Sequence, residues 1–256
     1  MIIRRQAIRM ALGGLAAAAV ARPGEAQRGE AQRGGLERAP VDLELILAVD
    51  VSRSVDDTEY ELQKSGYVQA LTSGPVLRAI RSGEIGAIAI AYVEWSSHGQ
   101  ARTVIDWMMI HDAVDADKFT GAMLTAPRSF AAYTSISWGI DHSVALFGSN
   151  PYRGRRRVID VSGDGANNQG RSVQSARDAA LAAGITINGL PIINDRPNPF
   201  GRIEPPLEEY YTENVICGEG AFVIRADDFQ SFGNAVMAKL IKEIATTPDE
   251  STAAKT

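Results

Sequence analysis

Residues 43–57 read LELILAVDVSRSVDD, an apolar run that ends abruptly in alternating acidic and hydroxyl side chains. Its continuous apolar half is typical of a strand that is buried on both faces of a parallel sheet. The run stops at Asp50, and Ser52 and Ser54 follow at two-residue spacing. The segment therefore predicts a buried strand with a polar turn at its carboxyl end.

The rest of the chain alternates between strand and helix patterns. A capping box formed by Asp56 and Glu59 predicts a helix directly after the turn. Further strand patterns lie at 86–95, 101–107, 155–163, 185–193 and 221–226, with helical patterns between most of them. This alternation predicts an α/β fold: a doubly wound, mostly parallel, six-stranded sheet with helices on both faces. We expect the strand that ends at Asp50 to be central and the strand at 101–107 to lie at an edge.

Oxygen-bearing side chains from three segments are expected at one edge of this sheet. Open parallel sheets bind ligands outside the carboxyl ends of their strands, where the strand order reverses. The first segment is the turn after Asp50, the second is YTSIS at 133–137, and the third is DVSGDGANN at 160–168. The candidate metal ligands are Asp50, Ser52, Ser54, Thr134 and Asp164. Two carboxylates and three hydroxyls suit a hard divalent cation, Mg²⁺ first and Mn²⁺ or Ca²⁺ next.

Each of these residues also has a structural interpretation. Ser54 or Asp56 could cap the first helix, Thr134 could cap the helix that follows it, and Asp164 could be a turn residue beside glycine. Asp160 competes with Asp164 for the ligand role. We prefer Asp164, because its Asp-Gly pair falls at the strand end while Asp160 lies within the apolar run.

Three motifs, in order, resemble those of the von Willebrand factor type A (integrin I-like) domain. DVSRS matches the Asp-x-Ser-x-Ser motif, YTSISWGI its threonine loop, and VIDVSGDG its strand that ends in an Asp-Gly pair. The resemblance covers about residues 41–245. More narrowly, the chain resembles an uncharacterised bacterial group of exported domains. It implies a Rossmann-like fold with a metal-ion-dependent adhesion site. The chain departs from the family at Tyr133, where the family often has glycine.

In that family the serines and the threonine bind the metal directly, and the resemblance carries this role to Ser52, Ser54 and Thr134. Asp50 and Asp164 would act largely through water, or with one of them direct. The resemblance implies a divalent-cation-dependent, adhesion-type module rather than an enzyme. The partner would be a protein that presents an Asp or Glu carboxylate to the metal.

Two other functions remain open on the sequence. A metal-dependent hydrolase of phosphoesters or esters is the first alternative, but no general base occupies a recognisable place. Ser162 lacks a Gly-x-Ser-x-Gly context, and no Gly-Lys-[Ser/Thr] phosphate loop occurs. The second alternative is a metal-free domain whose polar groups satisfy one another.

The single cysteine, Cys217, excludes an internal disulfide and a Cys-rich metal site.

The amino terminus indicates export. A basic start with paired Arg4-Arg5, followed by the short apolar run ALGGLAAAAVA, predicts a signal peptide at 1–26 that suggests the twin-arginine route. The run is too short for a stable membrane span. We expect a low-complexity linker at 27–40, the folded domain at 41–247 and a disordered tail at 248–256, in the periplasm or outside the cell. The net charge of −5 argues against a nucleic-acid partner.

Overall fold

The apolar run that ends at Asp50 forms the central strand of a five-stranded sheet in a computed structural model, which describes residues 38–193 and 206–245. The strands are β1 (Ala39–Asp50), β2 (Ile88–Trp95), β3 (Ala101–Ile110), β4 (Tyr152–Gly163) and β5 (Thr186–Pro191). Their spatial order is β3-β2-β1-β4-β5, and every neighbouring pair is parallel except β2 with β3. The prediction of a mostly parallel sheet with a central first strand and an edge strand at 101–107 is confirmed.

Seven α-helices connect or flank the described strands. They are α1 (Asp57–Leu71), α2 (Gly74–Arg81), α3 (Ala113–Thr125), α4 (Ile136–Leu146), α5 (Val173–Ala182), α6 (Leu207–Tyr210) and α7 (Phe232–Ala245). The capping box that opens α1 is formed as predicted, with Asp56 and Glu59 each bonding the other's backbone N–H. A short 3₁₀ turn (Phe147–Ser149) follows α4, and one π-helical turn (Tyr211–Val215) follows α6.

Two apolar layers cover the sheet, because successive side chains of a strand point to opposite faces. Leu45 and Leu47 of β1 pack into a core completed by α1, α2, α3 and α7. Ile46 and Ala48 pack into a second core completed by α4 and α5. The helices therefore lie on both faces, as predicted, and the strand order reverses at β1. This arrangement places the crevice of the fold at the carboxyl ends of β1 and β4.

The prediction of a sixth strand at 221–226 is wrong. This segment runs beside β5, with the N–H of Ala226 donating to the carbonyl of Pro191 and the N–H of Gly189 to the carbonyl of Phe222, both at 3.0 Å. Pro191 has no N–H with which to continue the ladder. The segment therefore pairs with β5 through isolated bridges and does not form a strand of the sheet.

The predicted termini lie mostly beyond the part of the chain that the structure describes. The signal peptide at 1–26, the linker as far as residue 37 and the tail at 248–256 fall outside the described residues. The strand β1 begins at Ala39, two residues before the predicted domain start near Val41. Of the helices in 38–193 and 206–245, none combines the length and apolar character that a membrane crossing requires.

Candidate metal centre

A continuous line of side-chain oxygens joins the three segments at the carboxyl edge of the sheet. The Thr134 hydroxyl donates to Ser52 Oγ at 3.3 Å, and Ser52 Oγ lies 3.1 Å from Ser54 Oγ. The Ser54 hydroxyl donates to Asp164 Oδ1 at 2.6 Å. Asp50 joins this line through the backbone N–H of Ser52, which donates to Asp50 Oδ1 at 2.7 Å. The structure thus brings all five candidate residues together.

Asp50 is the most constrained member of this cluster. Its side chain is fully buried at the end of β1, and its Oδ2 atom accepts no hydrogen bond from any described residue. Burial raises the pKa of Asp50 well above its ordinary value, and the neighbouring Asp164 carboxylate raises it further. An unpartnered buried carboxylate oxygen is costly, and a bound cation would offset that cost. The orphaned oxygen and the all-oxygen donor set therefore fit a hard divalent cation.

Gly163 allows β4 to approach Asp50 this closely. A Cβ atom at residue 163 would lie 2.9 Å from Asp50 Oδ2 and 2.9 Å from the Tyr211 hydroxyl. Tyr211 is itself fully buried, and its hydroxyl has no hydrogen-bond partner among the described residues. Burial, and then the Asp50 and Asp164 carboxylates, raise the pKa of Tyr211, so the phenol keeps its proton. A neutral O–H donor thus borders the buried side of the site.

Arg128 holds the turn after β1 in place. One terminal guanidinium nitrogen donates to the carbonyls of Val51, Ser52 and Val55 at 2.7 to 3.0 Å. The other terminal nitrogen bonds the Asp57 carboxylate at 3.1 Å. The guanidinium also lies near enough to lower the pKa of Asp50. Three carbonyls bound by one planar cation fix the turn that presents both serine hydroxyls.

Backbone and amide bonds tie the threonine loop to the other two segments. The N–H of Thr134 donates to Asn168 Oδ1 at 3.1 Å, and the N–H of Asn168 returns a bond to the Thr134 carbonyl at 2.9 Å. The N–H of Arg53 donates to the Ala132 carbonyl at 2.7 Å. Ser135 occupies the N-cap position of α4. The Thr134 hydroxyl is bonded to Ser52, so it is not engaged as the cap of that helix.

Asp160 has a different environment from Asp164. Its carboxylate is fully buried, and Oδ1 lies 2.6 Å from the ammonium of Lys239, which also contacts Glu243. Burial is the main reason that its pKa rises to about 7, an effect that Lys239 partly opposes. Asp160 therefore belongs to an ion-paired cluster in the core, while Asp164 reaches Ser54 at the edge.

Two residues that shape this site, Arg128 and Asn168, were not predicted as part of it. Arg128 lies in no motif, and Asn168 ends the quoted segment 160–168 without having been assigned a role. Tyr211 was expected either to be exposed for recognition or to anchor its loop in the core, and the structure shows it buried. A second group was also not foreseen: His111, Asp112 and Asp115 bring ligand atoms within 4.8 Å of one another at the exposed start of α3. Asp112 caps that helix and His111 bonds Asp115, so each has a local structural role.

Solved structures of low sequence identity share this fold. The pilus adhesin SpaC from Lactobacillus rhamnosus GG has a TM-score of 0.58 and 12% identity, over 82% of this chain and 31% of its own. Proximal thread matrix protein 1 from the mussel byssus, in a structure described as having a zinc occupied MIDAS motif, has a TM-score of 0.53 and 16% identity, over 81% of this chain and 46% of its own. A von Willebrand factor type A structure from Catenulispora acidiphila has a TM-score of 0.53 and 12% identity, over 81% of this chain and 42% of its own.

The fold is that of a von Willebrand factor type A domain, as the sequence motifs predicted. Residues 40–248 match the model of a family described as a protein of unknown function, DUF1194, and the chain belongs to that family. A search of curated proteins finds no match to the chain. The chain spans less than half of the length of each of these three solved proteins.

Proposed function

We propose that this protein is an exported binding module that recognises a protein partner through a bound divalent cation. The observation that carries the proposal is the convergence of five side chains bearing only oxygen donors from three separated segments. One of these oxygens, Asp50 Oδ2, is buried and has no hydrogen-bond partner among the described residues. The proposed metal ligands are Ser52, Ser54 and Thr134, with Asp50 and Asp164 completing the site directly or through water.

The chemistry of the donors favours Mg²⁺, with Mn²⁺ or Ca²⁺ as substitutes. Oxygen ligands suit these hard cations, whereas structural zinc sites use mainly cysteine and histidine. Neutral hydroxyls leave much of the cation's positive charge uncompensated, and Mg²⁺ keeps exchangeable water positions. When bound, the cation would supply a position that attracts an Asp or Glu carboxylate of the partner. Such a site binds without requiring turnover.

Two further features support a role in binding. SpaC is described as a pilus adhesin and the mussel protein as a thread matrix protein. Ser54, at one end of the line of hydroxyls, is exposed to solvent, whereas Ser52 and Thr134 are buried. A partner side chain can therefore reach the oxygen cluster from outside.

Export is part of the proposal and depends on the amino terminus. The basic residues and short apolar run at 1–26 have the composition of a signal peptide, and the repeat GEAQRGEAQRGG has that of a flexible linker. These features support a location in the periplasm or outside the cell. The test is N-terminal sequencing of the protein recovered from the periplasmic fraction, which should start near residue 27 rather than at Met1.

Calorimetry of the purified protein tests the metal dependence. After treatment with chelator, titration with Mg²⁺ and with Mn²⁺ should show one site. Asp164→Ala should weaken this binding at least about tenfold while the melting temperature without metal stays close to that of the wild type. Asp178→Ala, a surface aspartate of α5 that pairs with its neighbour Arg177, is the matched control. No heat and no thermal shift with either ion would leave the metal-free interpretation in its place.

An activity assay separates binding from hydrolysis. We expect no metal-dependent turnover of generic phosphoester or ester substrates by the wild-type protein. Turnover that requires Mn²⁺ and that Asp50→Ala abolishes would instead support the hydrolase.

A further inference from the structure

Two exposed side chains, Arg53 and Tyr133, flank the oxygen cluster. Arg53 lies between the two serines of the turn, where Ser52 is buried and Ser54 is exposed. Tyr133 directly precedes Thr134, and 66% of its surface is accessible to solvent. Their backbones are neighbours, since the N–H of Arg53 bonds the carbonyl of Ala132. The two side chains therefore belong to one rim beside the cluster.

The loops that carry these side chains are fixed, which is what a recognition surface requires. The N–H of Tyr133 donates to Ser97 Oγ at 2.9 Å. Arg128 donates to the carbonyls of Val51 and Val55, on either side of Arg53. Preorganised loops lose little conformational entropy when a partner binds. The side chains themselves are available: within the described part of the chain, no group bonds the guanidinium of Arg53 or the hydroxyl of Tyr133.

Tyr133 differs from the other exposed large hydrophobic side chains. Among the described residues these are Ile85, Val114, Leu124, Tyr133 and Leu181. Of these, Tyr133 is the one next to a candidate metal ligand in sequence and in space. Leaving a large aromatic ring in water costs free energy, and such rings, together with arginine, dominate the binding energy of protein interfaces. An exposed tyrosine beside an arginine that no described residue pairs thus has the composition found at the centre of protein interfaces.

The charge of the rim indicates what the partner presents. The whole chain has a net charge of −5, so an acidic partner surface is repelled at long range. At the contact itself, Arg53 attracts an acidic side chain, because its planar fork of N–H donors binds a carboxylate through paired hydrogen bonds. A basic partner residue would be repelled by the guanidinium, and a neutral acceptor would bond it without balancing its charge.

We infer that the partner presents two acidic side chains, one to the cation and a second to Arg53, together with an apolar or flat surface that packs on Tyr133. This inference rests on the proposed cation-dependent function and adds the composition of its partner. Arg53 and Tyr133 are specificity-determining residues in it, and neither is a metal ligand.

Selection from a random peptide library displayed on phage tests the inference. Peptides are captured by the full-length protein in Mg²⁺ and are released with EDTA. Wild-type protein should enrich peptides that carry two or more acidic residues, while Arg53→Glu should enrich peptides with one acidic and one basic residue. Arg81→Ala is the matched control, since that exposed arginine ends α2 before the start of β2, at the opposite edge of the sheet.

The most enriched peptide, made synthetically, gives the magnitudes. Arg53→Ala should bind it about tenfold more weakly, with a smaller dependence on salt, and Tyr133→Ser about fivefold more weakly. Both variants should bind Mn²⁺ as the wild type does, and Leu181→Ser should bind the peptide unchanged. If Arg53→Glu and wild type enrich the same peptides, the inference is overturned while cation-dependent binding stands. If EDTA releases no peptide from the wild type, the proposed function fails as well.

Discussion

Asp50 and Asp160 are fully buried aspartates on the neighbouring strands β1 and β4, and burial raises the pKa of both. Asp160 has a cation supplied by the chain, the ammonium of Lys239 at 2.6 Å. Asp50 has a backbone N–H on one oxygen and no hydrogen-bond partner among the described residues on the other. Arg128 is nearby, but its N–H groups are taken by carbonyls and by Asp57.

The two aspartates therefore have different roles: Asp160 belongs to the core, and Asp50 belongs to the proposed binding site. A buried charge that the chain itself neutralises stabilises one packing of the core and needs nothing from outside. A buried charge that is left partly unsatisfied at the edge of the sheet, beside hydroxyls and a second carboxylate, would be neutralised by the external cation that we propose. Substitutions in the two clusters should therefore change different measurements.

The largest expected effect is on stability, at Lys239. Lys239→Met leaves Asp160 and Glu243 buried without their cation, so we expect the free energy of unfolding to fall by about 3–5 kcal/mol. Urea unfolding of the purified protein measures this, with Lys118→Met on the surface of α3 as the control. A loss below about 1 kcal/mol would mean that Lys239 does not neutralise the core cluster.

The next effect is on metal affinity, and it distinguishes the two aspartates directly. Asp50→Asn removes a carboxylate from the oxygen cluster, so Mn²⁺ should bind about a hundredfold more weakly. Its stability in EDTA should equal or exceed that of the wild type, because a partly unsatisfied buried charge is gone. Asp160→Asn should bind Mn²⁺ as the wild type does. Equal losses of affinity in both variants would refute the division between the clusters.

The smallest expected effect is a pH dependence of stability. The pKa of Asp160 is about 7 in the folded protein against an ordinary 3.8, so between these values the folded state holds a proton that the unfolded chain releases. The free energy of unfolding should therefore fall as pH rises from about 4 to about 7, by at least about 1 kcal/mol, and level off above. In EDTA the raised pKa of Asp50 acts with the same sign.

Urea titrations across this pH range, in EDTA, provide the measurement. Asp160→Asn should reduce the slope, and the double variant with Asp50→Asn should remove most of the remaining fall in stability. A wild-type stability that increases with pH over the same range would contradict the assignment of raised pKa values to both aspartates.

Local patterns in the sequence predicted most of the fold. The apolar run before Asp50 and the capping box at Asp56 and Glu59 are short-range signals, and both the strand and the helix form where they indicate. The prediction of a sixth strand at 221–226 was wrong because the apolar composition of that segment carries no information about the neighbouring strand. That neighbour contains Pro191, which cannot donate to the ladder.

Most of the candidate site was visible in sequence because its residues lie at strand ends, and Thr134 was visible because it precedes a helical pattern in a segment that resembles the family's threonine loop. Asp50, the serines and Asp164 sit beside recognisable strand patterns, and the fold rule for open parallel sheets places those ends together. Arg128 and Tyr211 could not be found in this way. Their contacts arise from packing between distant segments, and neither residue belongs to a periodic or motif-like stretch. The Lys239 partner of Asp160, on the last helix, was invisible for the same reason.

Three segments form one oxygen site for a divalent cation in our proposal, and anomalous scattering from crystals soaked in Mn²⁺ would locate such an ion. We expect an anomalous peak within bonding distance of Ser52, Ser54 and Thr134, and no such peak in Asp50→Asn crystals. A peak at His111, Asp112 and Asp115 with none beside the serines would contradict it.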